Sequence, residues 1–490
     1  MMAVQAPLQT PERPGPALAP PRRISFGGHR VLVLGLGDTG LSVAKWVARE
    51  GGKVRVADTR ADPPQLASLR AQVPEADARC GEFSPRLLDE VDLVCISPGL
   101  PLSGSVVRDA AAAGVPVCGD IELFAWGLAE HGRGKVLAIT GTNGKTTVTS
   151  LTGHLLRGAG IDTGVAGNIA PPALDALRAR LDSGSLPDAW VLELSSYQLE
   201  TTWSLAPDAA TLLNLSEDHL DRYPGIAAYG RVKARVFQGN GVQVLNRDDP
   251  CSASMAVHGR KRITFGLGVP SEDLDFGCIA VNGRKWIAQG SNALVAVDAL
   301  PIHGWHNAAN AMAALALARA ICVPYAPLVE SVATFSGLPH RLQKVATIRG
   351  VEFYDDSKGT NVGATIAALK GIATQGSRAG MNHPVLLIAG GVGKGQDFAP
   401  LAQPVSEYAR GVFLIGEDAG RIESALAPGG VPIERCESLE QAVARAARMA
   451  RAGEAVLLSP ACASFDMFRD YKHRGEAFAA AVAALETGHG

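Results

Sequence analysis

The sequence predicts an α/β protein of three units, each with a mainly parallel sheet: an N-terminal Rossmann-like unit, a central P-loop ATPase-like unit and a C-terminal Rossmann-like unit. Three observations carry this reading. Short β-branched apolar runs alternate with helical patterns from Arg30 onward; two glycine-rich loops each follow such a run and open a helix; and a fresh strand series starts at Lys135 and another beyond "FSGLPHR". At roughly 100–200 residues per domain, 490 residues accommodate such a division.

Before the first strand, residues 1–28 hold six prolines and no apolar h-region, so a disordered tail is expected and not a signal peptide. The first unit, 29–120, reads strand "RVLVLG", helix "LSVAKWVARE", strand "KVRVAD", then "DLVCISPG" and "SVVRDAAAAG". The second, 121–338, runs from "KVLAITG" through "WVLELSS", "AATLLNLS" and "VQVLN" to the alanine-rich helix "NAANAMAALALARAI". The third, 339–490, repeats the rhythm with "PVLLIAGG", "GVFLIG" and "AVLLSPA".

Composition narrows the function classes. Hydrophobic residues at 47% and charged residues at 19% are ordinary for a globular chain. With 46 Lys plus Arg against 48 Asp plus Glu, no broad cationic surface for nucleic acid is expected, so any anion must be met locally. Eight cysteines lie scattered without a C-x-x-C pair, which argues against a zinc knuckle or disulfide framework and fits a reducing cytoplasm. No apolar run reaches the roughly 18 residues of a membrane span, so membrane insertion is not expected.

Chemistry concentrates in the glycine loops. In "VLVLGLGDTGLS", Gly35, Gly37 and Gly40 let the backbone approach a pyrophosphate at a helix N-terminus, and Asp58 ends the next strand, where a carboxylate can reach ribose hydroxyls. Alone this motif serves equally to pack a helix on a strand, and Asp38 within it repels a diphosphate unless its side chain points away. The second loop, "ITGTNGKTT", is more specific. Gly141 and Gly144 free the backbone to wrap a triphosphate, Lys145 supplies a point charge for the outer phosphates, and the Thr146 hydroxyl can ligate Mg²⁺. Glu193 ends the strand of "LELSSYQLE" and His219 follows the next one, so both can face a metal at the same sheet edge. Lys233 has no partner evident from spacing.

These strings, together with "LPHRLQ", "YDDSKGTN", "AGGVGKGQDF" and "LSPACASFDMFRDYKHRG", resemble the Mur ligases of peptidoglycan synthesis over nearly everything after residue 29. The third-unit strings are most similar to the branch that adds D-glutamate to UDP-N-acetylmuramoyl-L-alanine. The resemblance implies an ATP-dependent amide ligase working through an acyl phosphate, with two Mg²⁺ ions, replaceable by Mn²⁺, and a monomer. It assigns the first loop to the UDP part of the acceptor, with contacts from Thr39, Asp58, Thr59, Arg60, Ser97 and Gly99, and implies no NAD. Asn168, Ser195 and Gln198 then position the muramoyl-alanine. ATP falls to Gly141, Thr142, Asn143, Gly144, Lys145, Thr146 and Thr147, with Asn307 at the adenine and Arg341 and Asp356 reaching from the third unit. Metal falls to Thr146, Glu193, His219 and a carbamylated Lys233. D-glutamate falls to Lys358, Thr360, Lys394, Ser464, Phe465 and Tyr471; for Ser464, helix capping is an equal reading. Lys145, Glu193, His219, Lys233 and Arg341 form the implied catalytic set. The rivals are a folylpolyglutamate synthase or another Mur ligase, an NAD-dependent oxidoreductase, and a non-catalytic nucleotide-binding scaffold.

Overall fold

The computed structural model describes residues 18–487 apart from 133, 220, 221, 303, 375–377, 379 and 380. The chain divides into two compact units. The first takes residues up to Leu215 with Ala227–Phe265 and Ala313–Ser331; the second takes Ser216–Ile226, Gly266–Met312 and the chain from Val332.

In the first unit, β1 (Arg30–Leu34), β2 (Lys53–Asp58), β3 (Asp77–Cys80), β4 (Leu93–Ile96) and β5 (Val117–Cys118) form a parallel sheet in the order 3-2-1-4-5. That order reverses direction next to β1, which places the first glycine loop at the crevice beyond the strand ends. A second parallel set follows: β6 (Lys135–Thr140), β7 (Thr163–Gly167), β8 (Ala189–Glu193), β9 (Ala209–Leu212), β10 (Val242–Asn246) and β11 (Arg262–Phe265), ordered 11-10-9-6-8-7. β6 after Lys135, and β8 and β9 throughout, are buried, as expected where helices cover both faces of a parallel sheet.

The second unit contains an antiparallel meander, β12 (Phe276–Val281), β13 (Arg284–Gln289) and β14 (Asn292–Ala296). Its first turn is Asn282-Gly283, both at positive φ, the two-residue geometry that matches strand twist. This meander departs from the purely alternating pattern expected of the central region. The unit's other sheet holds β15 (Gln343–Ile348), β16 (Val351–Asp355), β17 (Val385–Gly390), β18 (Ala409–Ile415), β19 (Ile433–Arg435) and β20 (Ala455–Leu458), ordered 15-16-20-17-18-19 and parallel except at β15.

Of the 1–28 tail, residues 1–17 lie outside the described residues, but Leu18 and Phe26 are buried and Phe26 packs on Trp126. Apolar burial at those two side chains draws this stretch into the fold. The expected boundary near 121 lies within helix Asp120–His131, and one continuous core containing Val31, Trp46, Phe124, Trp126 and Trp190 runs through both sides of it. Gly127 allows this, since a Cβ there would press on the rings and methyls of Trp46 and Leu177.

Candidate functional site

In the first unit the two glycine loops are built alike. Gly35 turns at φ +89 between β1 and helix Asp38–Arg49, and a Cβ at Gly40 would overlap the Gly35 carbonyl oxygen, so strand and helix meet backbone to backbone. Ser97 Oγ donates to that same carbonyl at 3.0 Å. Gly37 and Gly99, by contrast, have nothing within 4 Å of where a side chain would begin. The Asp58 carboxylate accepts from Leu36 N at 2.7 Å, from Arg60 N at 2.9 Å and from the Arg60 guanidinium at 2.7 and 2.8 Å. The Arg60 bond is the chief reason its pKa falls to about 2. Asp58 is therefore tied into the loop, while the Arg60 side chain that bonds it stays 54% exposed. Asp38 is exposed and accepts from Gln65 Nε2 at 2.7 Å, so the charge that conflicts with a diphosphate is turned aside. Thr39 is half-buried in the first helical turn and Thr59 is exposed.

The second loop links β6 to helix Lys145–Gly158, with Gly144 at φ +85 in the N-cap position and no side-chain cap. The first turn of this helix lies at the positive end of its dipole, a setting that favours an anion. Asn214 fastens the loop: its Oδ1 accepts from Asn143 N at 2.8 Å and its Nδ2 donates to Asn143 O at 3.1 Å. Lys145 Nζ donates to Gly141 O and Thr142 O at 2.8 and 2.9 Å, folded back over the loop. Thr146 is half-buried and Thr147 buried beside it.

Lys233 lands here as well. It is 1% exposed, and its Nζ donates to Gly141 O at 2.9 Å and to Thr140 Oγ1 at 3.2 Å and stands 4.7 Å from the centre of the Tyr229 ring. Glu193, at the end of β8, pairs in register with Ile139 of β6. Its Oε1 accepts from Asn168 Nδ2 at 2.8 Å, while its Oε2 is buried with no hydrogen-bond partner. A buried carboxylate oxygen left unsatisfied is costly, which suits a cation partner. Thr146, Glu193 and a carbamate on Lys233 would make a set of hard oxygen donors, the kind Mg²⁺ prefers. Among the described residues no cluster of three or more His, Cys, Asp or Glu is gathered for a metal. Ser195 caps the short helix Ser196–Glu200 in a reciprocal box with Gln198.

The second unit holds the remaining expected residues. Asn307 and Arg341 line one cavity of about 430 Å³ with Ile302, Leu338 and Pro339. Asp356 accepts from Ser459 Oγ at 2.8 Å and from Leu342 N at 3.2 Å; burial pushes its pKa up to about 7, against the pull of Ser459 and the charge of Arg341. Lys358 Nζ lies 3.8 Å from the centre of the Tyr471 ring, and Thr360 N donates to Lys358 O. Ser464 caps no helix: its carbonyl accepts from Met467 N and Phe468 N, and Phe465 after it is 71% exposed. Arg474 ties the two loops around these residues, donating to Ser357 Oγ, Ser357 O and Cys462 O. Lys394 is exposed at φ +51 after β17. His219, also at positive φ, has its ring 3.8 Å from Asp218. Asn214, Ser459 and Arg474 carried no expected role. Each lies inside a quoted motif, but its function is to hold other loops, a role that spacing does not reveal.

Three family models tile the chain. The MurD-like N-terminal domain matches residues 29–119, the Mur ligase middle domain 139–318, and the Mur ligase glutamate ligase domain 340–462. The chain belongs to the Mur ligase family. A Nitrosospira multiformis protein named UDP-N-acetylmuramoylalanine--D-glutamate ligase is 53% identical over 94% of this chain and 97% of its own length. Its Nitrosomonas europaea namesake is 50% identical over 94% and 98%. The crystal structure of MurF from Acinetobacter baumannii shares the fold at 17% identity, with a TM-score of 0.59 over 94% of this chain and 91% of that one. Among the described residues no helix is long and apolar enough to cross a membrane.

Proposed function

We propose that this Mur ligase couples D-glutamate to UDP-N-acetylmuramoyl-L-alanine at the expense of ATP. The observation that carries this reading is the convergence on one loop of an uncapped helix N-terminus, two lysines and a buried carboxylate with an unsatisfied oxygen. The choice of acceptor and amino acid is supported by relatives of that name at 50% identity or more. We keep the division into three domains, 29–120, 121–338 and 339–490, beside family-model spans of 29–119, 139–318 and 340–462, with the first boundary falling inside helix Asp120–His131.

In the first step the acceptor's carboxylate attacks the γ-phosphorus of ATP, giving an acyl phosphate and ADP. In the second the D-glutamate amine displaces phosphate. Both steps bring anions together, so cationic charge must be fixed in advance where charge develops. Lys145 lies half-buried on the loop carbonyls and swings from them to the outer phosphates; Arg341 and Asn307, which line one cavity in the second unit, are the further residues we assign to ATP. Asp356 steadies Arg341. The Lys233 amine, buried against Thr140 and Gly141, gains two oxygens and a negative charge by adding CO₂ and losing a proton. Thr146, Glu193, His219 and that carbamate are the residues that would hold magnesium, which would supply positive charge to the phosphates. Lys358, Thr360, Lys394, Ser464, Phe465 and Tyr471 hold D-glutamate, and Asn168, Ser195 and Gln198 hold the muramoyl-alanine. The UDP group lies along Gly37 and Gly99, where the backbone is open, with Thr39, Thr59 and Ser97 at its edge and Asp58 and Arg60 acting through the loop.

Phosphate release and product mass, measured with UDP-N-acetylmuramoyl-L-alanine and either D- or L-glutamate, test this. Release with D-glutamate alone is expected; equal release with both, or with neither, rejects the assignment.

A further inference from the structure

Asp120 has no place in the steps above, yet it is a carboxylate buried in the first turn of helix Asp120–His131. Its Oδ2 accepts from Gln198 Nε2 at 2.9 Å, and its Oδ1 is buried without a hydrogen-bond partner. Burial raises its pKa to about 6, opposed by the Gln198 bond and by backbone N–H groups of the helix start. Keeping a carboxyl in such surroundings costs stability unless something is gained from it.

The gain lies one residue further along the hydrogen bonds. A carboxylate only accepts, so it obliges Gln198 to present its amide nitrogen and turns Oε1 the other way. Oε1 then accepts from Ser195 N at 3.1 Å and from Ser195 Oγ at 3.3 Å, while Ser195 Oγ accepts from Gln198 N at 3.2 Å. The Ser195 proton is committed inward, and the half-buried hydroxyl offers a lone pair outward, two residues beyond Glu193. A further feature is built for this approach. A Cβ at Gly119 would run into Thr201 Oγ1, so only glycine lets the helix start come close enough to the Ser196–Glu200 turn.

We infer that Asp120 is a positioning residue: through the Gln198 amide it fixes the Ser195 hydroxyl as a hydrogen-bond acceptor for the amide N–H of the acceptor substrate. This rests on the reading that Ser195 faces the muramoyl-alanine. Asp120→Ala frees the amide to flip. It is expected to raise the KM for UDP-N-acetylmuramoyl-L-alanine about tenfold, with the KM for ATP within about twofold. The exchanged pair Asp120→Asn with Gln198→Glu restores the same proton direction, because Asn donates to a carboxylate that again accepts from Ser195. It is expected to return that KM to within about threefold of the parent. A kcat loss with both KM values unchanged, or an exchanged pair no better than Asp120→Ala, overturns the relay. If Asp120→Ala does not fold, the exchanged pair against Asp120→Asn alone carries the comparison, the single variant expected to be the weaker binder. Calorimetric binding of UDP-N-acetylmuramoyl-L-alanine to the parent protein separates the two failures. Binding without ligation rejects the functional reading and leaves the relay to be read from binding constants; no binding rejects both.

Discussion

After β1 and after β6 the chain makes the same move, an apolar strand ending in a glycine turn that opens a helix, yet the charged groups at the two turns are disposed oppositely. At the first, Asp58 accepts from the loop and from Arg60, Asp38 is bonded to Gln65, and the open backbone at Gly37 and Gly99 is left for a ligand. At the second, Lys145 and Lys233 rest on the carbonyls of Gly141 and Thr142, and Glu193 keeps an oxygen unsatisfied. The first loop is braced by its own charges, which on the proposed function leaves shape to do the recognition. The second holds charges in reserve, as the proposed phosphoryl transfer would require of it.

The largest expected effect breaks that reserve. Lys233→Ala should lower ligation at least about a hundredfold, the scale seen when one preorganised charge is removed. If a carbamate is the working form, acetate or another short carboxylate added to the variant restores part of the rate; undiminished activity of the variant ends that idea. Lys145→Ala is expected to stop acyl-phosphate formation to a similar degree while binding of UDP-N-acetylmuramoyl-L-alanine stays within about twofold. Loss of that binding would mean that the two loops do not divide the ligands as described.

The glycines sharpen the comparison at the next scale down. Gly40→Ala forces a Cβ into the Gly35 carbonyl and should cost about 1–3 kcal/mol, read as a lowered unfolding midpoint. Gly37→Ala, facing open space at φ −94, should leave that midpoint unchanged and instead raise the KM for the UDP substrate. Equal melting temperatures for the two variants would contradict the division between a packing glycine and a ligand-facing one.

How much of this was legible beforehand depends on the residue. Gly144 and Lys145 could be read because a helix N-terminus and its phosphates impose a local spacing. The parallel strands from "RVLVLG" to "AVLLSPA" could be read because burial on both faces leaves continuous apolar runs. The Asn282-Gly283 turn was equally local, but its meander sits inside a region whose rhythm pointed to alternation. Residues that act across long stretches of chain left no such mark. Lys233 meets Gly141 at a separation of 92 residues, and Asp120 meets Gln198 at 78. Asp58 was visible as an acid ending β2, but whether it would face a ribose or the loop depended on Arg60 curling back two residues later, a rotamer choice that sequence pattern does not fix.

That choice gives the smallest effect and the finest test. Asp58 is ionised in the fold with a pKa of about 2 against an ordinary 3.8, so its bonds to Leu36 and Arg60 stabilise the fold above about pH 4. The contribution fades as pH falls from there through about 2, below which folded and unfolded carboxyls are both protonated. Asp58→Asn should therefore be less stable than the parent at pH 7 by about 1–2 kcal/mol, the worth of a charge-assisted hydrogen bond. Toward pH 2 the gap should close. If the carboxylate serves the loop alone, the variant's KM for UDP-N-acetylmuramoyl-L-alanine should rise only as far as the loop loosens, about two- to threefold. A variant of unchanged stability with a much larger rise in KM would place Asp58 on the ribose after all.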